Sequence, residues 1–162
     1  MFSYNSFTNK PSYDGQLEVI GHNNFSFKVE VTTTEDDESS LRRQALSRNG
    51  IVWLSGPINR DKNDGRKIVS EPKMVDLSKR EERCTELAFE RFLTKANSGR
   101  YDTNTAILVA ITMDHVVSMR RRGELLKRSR EWLRENPTVY GVYYLFQRDG
   151  IIDSARASDR GI

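Results

Sequence analysis

Lys28, Glu30 and Thr32 share one face of the stretch Phe25-Ser-Phe-Lys-Val-Glu-Val-Thr32. The stretch alternates strictly, so as a β-strand it sends Phe25, Phe27, Val29 and Val31 to one side, for burial, and the polar residues to the other. An acid on the polar face of such a strand belongs either to a solvated sheet surface or to the floor of an active site. Asp14, in the turn signal Asp14-Gly15, is a second acid just upstream. Two carboxylates provide hard oxygen ligands of the kind Mg²⁺ takes. A lysine beside them can stabilise negative charge that develops during a reaction.

Two lysines can fill that role. Lys28 precedes Glu30 by two residues and lies on the same strand face. Lys95 belongs to a helical stretch whose apolar residues Cys84, Leu87, Ala88, Phe89, Phe92 and Leu93 form one wide face. It follows Ala88 by seven residues and Phe92 by three, so it falls within that face, as does Glu81. An unpaired ammonium is costly to bury. Lys95 therefore either snorkels outward from the last turn or meets an acid.

Other chemistries find little support. The single cysteine, Cys84, sits on the apolar helix face, and it cannot form an internal disulfide or anchor zinc alone. His22 and His115 have no partner at metal-ligand spacing, and no phosphate-binding glycine loop is present. The 162 residues, 36% hydrophobic and 30% charged, fit one domain of a soluble protein. The longest apolar run, residues 106–111, is too short to cross a bilayer, and residues 1–7 do not read as a signal peptide. A reducing, cytoplasmic setting is expected, with no membrane partner.

Net charge is +3, unevenly placed. Residues 117–136 carry seven bases and three acids, which leaves the rest of the chain at about −1. Arg120, Lys127, Arg130 and Arg134 gather on one side of that segment. They form either a solvated surface interleaved with Glu124 and Glu131 or a phosphate-binding face.

The elements that must position these residues follow from periodicity and turn signals. Residues 1–13 read as a loosely attached lead-in with room for a short helix or strand. Residues 16–20 and 25–32 form a hairpin across Gly21-His-Asn-Asn24. A helix begins in the acidic stretch 35–39, runs to about Arg48 and stops at Asn49-Gly50. Residues 51–54 form a strand, and Asn63-Asp-Gly65 turns a second hairpin that returns along 67–70. A helix spans 77 to about 97, and the apolar run 105–112 forms a strand covered on both faces. Ser118 caps a basic helix that ends before Pro137, residues 139–146 form the last strong strand, and 153–162 form a frayed tail. The class is α/β (or α+β), with a mixed central sheet and helices on both faces.

This arrangement resembles the restriction-endonuclease-like family, the PD-(D/E)xK nucleases. The likeness rests on Pro11-Ser-Tyr-Asp14 for the first acid, Glu30-Val-Thr32 for the second motif, the helix to residue 97 and the strand 105–112. Thr32 stands where the family pattern places its lysine, and Lys95-Ala-Asn-Ser-Gly-Arg-Tyr101 looks like a variant that supplies the lysine from the helix. The resemblance implies a nuclease acting on DNA or RNA. Asp14 and Glu30 would hold Mg²⁺ or Mn²⁺, Lys95 or Lys28 would orient water, and Thr32 would hold a water or a backbone group. Arg120, Lys127, Arg130 and Arg134 would grip phosphates. Two alternatives stand beside it: a catalytically silent domain of the same fold that binds nucleic acid or a protein, and an unrelated α+β interaction domain. The sequence admits a homodimer without requiring one.

Overall fold

The computed structural model describes residues 2–6, 14–19, 25–35, 37–49, 58–63, 67–70, 72, 74, 76–111, 117–146 and 150–156. In chain order the elements are β1 (Phe2–Ser6), β2 (Gly15–Val19), β3 (Phe25–Thr33), α1 (Asp37–Asn49), β4 (Ile58–Arg60), β5 (Ile68–Ser70), α2 (Leu77–Ala96), β6 (Thr105–Ile111), α3 (Met119–Glu135), β7 (Gly141–Phe146) and β8 (Ile151–Arg156). Six strands make one mixed sheet in the order β1-β2-β3-β6-β7-β8, and β4 pairs with β5 separately. The class is α/β, as the alternation of patterns predicts.

Connection length decides strand direction. β1, β2 and β3 follow one another closely and pair antiparallel, as do β7 and β8. β3–β6 and β6–β7 are parallel, because the crossovers between them contain helices. β6 is consequently flanked by parallel neighbours on both sides, and all its residues but Leu108 are buried, which explains its nearly unbroken apolar sequence. Gly141 lies where β8 crosses closest: a Cβ there would stand 2.7 Å from the Ala155 carbonyl oxygen.

α2 and α3 share one face of the sheet. Ile107, Val109 and Ile111 with Val142, Tyr144 and Phe146 meet Cys84, Ala88 and Phe92 from α2 and Leu125 and Leu133 from α3. Phe92 is fully buried and meets the Trp132 ring edge-on at 5.2 Å. Burial of a side chain of that size contributes roughly 2–3 kcal/mol. α1 packs instead on the β4–β5 hairpin, where Ala45, Ile58, Ile68 and Leu41 form a separate small cluster. The helices are thus distributed less evenly than a two-sided layering, because α2 and α3 carry wide apolar stripes and α1 carries only a narrow line.

The faces of β3 depart from simple amphipathicity: Val29 is buried as expected, but Glu30 on the opposite face is buried as well. Glu30 is only 6% exposed and lies on the helix-covered side, whereas Val31 on the opposite side is 37% exposed. Phe27, Val29 and Val31 line an open apolar cavity of about 220 Å³ with Ala106, Leu108, Tyr143 and Ile152. Strict alternation identifies two faces without saying which one the helices cover.

Other boundaries move by small amounts. Within the lead-in, residues 2–6 take the short-strand alternative and pair with β2 along their whole length. Asp153–Arg156 belong to β8 rather than to a frayed tail, because their backbone completes the ladder of β7. Ser118 precedes α3, but its hydroxyl donates to Glu81 Oε2 at 3.2 Å and makes no side-chain cap. The expected strand at 51–54, both histidines, the Pro11-Ser-Tyr segment and the final six residues lie outside the described residues. Among the described residues, no helix is long and apolar enough to cross a membrane.

Tyr144 gives the core a measurable pH dependence. Burial pushes its phenol well above the ordinary value of 10.0, opposed by the Ser129 hydroxyl and the charge of Arg128. The folded protein therefore keeps a proton that the unfolded chain releases at about pH 10. Stability is fully present below that pH and falls as the pH rises above it. Denaturant unfolding between about pH 9 and 11.5 should show this alkaline loss, with a shallower slope in Tyr144→Phe. Equal slopes would mean that Tyr144 is not held neutral by the core.

Candidate active site between strand β3 and the end of helix α2

The hairpin register brings the two acids together. Gly15 pairs with Val29, so one step further along the ladder Asp14 comes opposite Glu30. The Asp14 amide donates to the Val29 carbonyl at 3.0 Å, and the Val31 amide donates to Asp14 Oδ2 at 2.8 Å. The Asp14 carboxylate is therefore tied to the backbone of β3 immediately beside Glu30. It remains exposed, and this bond engages one of its two oxygens.

Glu30 meets a cation from a distant element. Lys95 Nζ lies 2.5 Å from Glu30 Oε1, with the lysine side chain 32% exposed and the glutamate side chain 8% exposed. Helical spacing explains the encounter: Ala88 and Phe92 are buried against the sheet, and the same face carries Lys95 toward β3 in the last turn of α2. That position also suits a cation, since the carbonyl end of a helix dipole is negative. Lys95 thus points inward and is paired.

Tyr101 completes the cluster. Its pKa is pushed up to about 12. Burial is the largest cause, followed by the Glu30 hydrogen bond and charge. Asp14 adds to the shift, and Arg100 opposes it. The phenol therefore stands close enough to feel both carboxylates.

The loop that carries Tyr101 is clamped to β3. α2 ends at Asn97, whose amide bonds the Leu93 carbonyl, and Gly99 turns the chain with φ 67°. Asp102 then accepts from the Asn104 amide and the Thr105 hydroxyl, both at 3.0 Å, and from Lys28 Nζ at 2.6 Å. The Lys28 hydrogen bond is the main reason that the Asp102 carboxyl sits below its usual range. Lys28 was a candidate for the missing lysine beside Glu30, but its ammonium holds this loop.

The remaining expected residues fall as follows. Thr32 is part-buried two residues beyond Glu30 on the same face, in register with the fully buried Val109. Arg91, one turn before Lys95, donates to the Glu35 carbonyl at 3.5 Å. Arg120, Lys127, Arg130 and Arg134 lie on α3, which packs against α2 and β8. Arg120 pairs with Glu124 at 3.5 Å and Lys127 with Glu131 at 4.0 Å. Arg130 and Arg134 also have partners. Three other bases of α3 are structural: Arg122 is buried over the Phe146 ring, Arg121 pairs with Glu124, and Arg128 is held by Glu86 above Phe89. Cys84 is buried, and its thiol is pushed up to about 12 mainly by that burial. Among the described residues, no group of three or more His, Cys, Asp and Glu gathers. The oxygen donors for a cation are the pair Asp14 and Glu30.

Sequence reasoning missed the roles of Tyr101 and Asp102. Tyr101 ended a quoted motif without a function, and its signal was that motif's fixed distance from Lys95. Asp102 had no signal, because its partner Lys28 is 74 residues away.

The clamp can be tested by charge exchange. Lys28→Asp and Asp102→Lys should each lower stability by about 1 kcal/mol, as expected for an exposed pair turned repulsive. In denaturant unfolding, the double exchange should be less destabilised than the two single losses summed, recovering the ion pair but not the bonds that Asp102 accepts from Asn104 and Thr105. Additive losses would show that the pair does not hold the loop.

Comparison with protein-family models, curated proteins and solved structures finds no match to this chain, so what the site can do is judged from its own geometry.

Proposed function

We propose that the protein is a metal-dependent, nuclease-like hydrolase of phosphodiester bonds in DNA or RNA, in keeping with its resemblance to the PD-(D/E)xK nucleases. Asp14 and Glu30 would hold the metal, and Lys95 would assist. The observation that carries this reading is the Lys95–Glu30 contact, made across 65 residues of sequence, beside a second carboxylate fixed by strand register.

The donor set suits a hard divalent cation. Two carboxylates and one ammonium leave the cluster one negative charge in excess, and Mg²⁺ commonly takes one or two carboxylates, with water and substrate phosphate as its other ligands. Such an ion, when bound, neutralises the phosphate and lowers the pKa of the attacking water.

The chain's own groups have separate tasks. Lys95, paired with Glu30, stands where its ammonium can orient a water and stabilise negative charge on the phosphate oxygens. Tyr101 would help to orient the Glu30 carboxylate, whose charge contributes to the raised pKa of its phenol. Thr32 offers a hydroxyl to a water or a backbone group, but no charge. Hydrolysis adds the water oxygen to phosphorus and breaks one phosphorus–oxygen ester bond, and the leaving oxygen gains a proton. Backbone contacts to phosphates would place the strand without selecting its sequence.

A second reading is a catalytically silent domain that binds nucleic acid or a protein partner. It is favoured by the occupied oxygens: Glu30 Oε1 already meets Lys95, and Asp14 Oδ2 already accepts an amide.

Incubation of the protein with single- and double-stranded DNA and RNA, with Mg²⁺ or Mn²⁺, separates the two. Metal-dependent cleavage should fall to background in Glu30→Ala and by about 10²–10³-fold in Lys95→Ala, as for loss of one charge-stabilising group. Cleavage unaffected by Glu30→Ala would overturn the site assignment. Absence of cleavage from the unaltered protein would leave the silent domain as the better account.

A further inference from the structure

Arg91 stands four residues before Lys95 on α2, so the two cations share one face of the helix. Lys95 meets Glu30 within β3, while Arg91, earlier on α2, reaches the carbonyl of Glu35 just after β3. The helix thus runs antiparallel to the strand, and the two cations follow its length. Thr32, part-buried, is the residue of the Glu30 face that falls between these two contacts.

The charge of Arg91 is unanswered. Among the described residues no carboxylate pairs with it, and its hydrogen bond to the neutral Glu35 carbonyl is 3.5 Å long. Its Nε is buried with no hydrogen-bond partner. The Glu35 carboxylate is engaged by Arg43. The positions three and four residues away on α2 are Leu87, Ala88, Thr94 and Lys95, so no acid can pair with Arg91 within the helix. Arg121, Arg122, Arg130 and Arg156 also have a buried nitrogen without a partner, but each is otherwise held. Glu124 holds Arg121, the Phe146 ring and the Val117 carbonyl hold Arg122, the Tyr140 ring holds Arg156, and Arg130 has a further partner. A part-buried guanidinium beside a second cation is costly unless an anion meets it. Its planar fork of donors matches the oxygens of a phosphate.

We propose that Arg91 is a phosphate-binding residue of the candidate active site, whose guanidinium grips a backbone phosphate of bound nucleic acid beside Lys95. The proposal rests on the reading of the ligand as nucleic acid, and it adds to the Asp14, Glu30 and Lys95 cluster the contact that holds the strand there. Lys95 is already drawn to Glu30, whereas Arg91 has donors to spare. Such a contact fixes where the backbone lies without reading its bases.

The test is fluorescence anisotropy with short labelled single- and double-stranded DNA and RNA, in EDTA so that no metal-dependent cleavage competes with binding. Arg91→Met keeps an apolar stem and removes the charge, and Arg91→Lys keeps the charge and removes the fork. Arg83→Met removes one charge from an exposed position about 12 Å back along α2. At about 0.1 M salt, Arg91→Met should bind about tenfold more weakly, with a salt dependence shallower by about one unit of slope. Arg91→Lys should restore the slope but only part of the affinity. Arg83→Met should lose less than about threefold, because a charge more than a Debye length away is largely screened. Equal affinity of Arg91→Met and the unaltered protein would overturn the proposal, as would an equal loss in Arg83→Met. If circular dichroism shows Arg91→Met unfolded, the Arg91 Nε–H signal of the unaltered protein, assigned by its loss in Arg91→Lys, decides. It should move when the tightest-binding probe is added, and an unmoved signal would overturn the proposal. Failure of the unaltered protein to bind any of the four probes would overturn this contact together with the reading of the ligand as nucleic acid. Binding indifferent to Arg91, beside cleavage that needs Glu30, would remove the contact alone. Binding that needs Arg91, without cleavage, would support the contact and remove the nuclease reading.

Discussion

A carboxylate under a helix layer is tolerated only when its charge is answered, and Glu30 is such a carboxylate. It occupies the face of β3 that α2 covers, beside the fully buried Ile107. Leaving it unpaired there would cost several kcal/mol. The last turn of α2 must therefore bring Lys95 to it, and this requirement constrains the crossover from β3 to β6. The packing of Ala88 and Phe92 fixes the rotation of α2, and that rotation aims Lys95. Tyr101 follows because the loop after α2 is turned by Gly99 and pinned by Asp102 to Lys28.

The same constraint separates the two sides of the sheet. The side with Glu30 is filled by α2 and α3. The side with Phe27, Val29 and Val31 is lined by apolar residues around an open cavity, with Ile152 at 59% exposure. A strand that looks simply amphipathic thus carries its acid on the more enclosed face. Such placement is hard to account for by stability alone, because a well-packed apolar residue serves a core at least as well as a buried ion pair. This is the physical ground for treating the cluster as functional.

Much of this was legible in the sequence, for identifiable reasons. The α2 and α3 stripes, the doubly buried β6 and the β2–β3 hairpin each follow from one period and one stop signal. The seven-residue distance from Ala88 put Lys95 in the apolar sector of α2, but whether it snorkels outward or meets an acid was decided only by its contact with Glu30. What was hidden depended on contacts remote in sequence. Alternation in β3 could not say which face the helices would cover, and the Lys28–Asp102 clamp spans most of the distance from β3 to β6. Residues 153–156 looked too polar for a sheet, yet their backbone completes the ladder of β7. The basic run on α3 read as one exposed face, either solvated or phosphate-binding. It divides into buried, ring-stacked and ion-paired groups because one side of that helix is needed for the core.

The pairing of Lys95 with Glu30 is the claim on which the rest stands, and NMR of the lysine ammonium groups tests it most directly. The account predicts one ammonium signal protected from rapid exchange, assigned to Lys95 by its loss in Lys95→Met and weakened in Glu30→Gln. An ammonium of Lys95 that exchanges like a freely solvated lysine, with no response to Glu30→Gln, would contradict it.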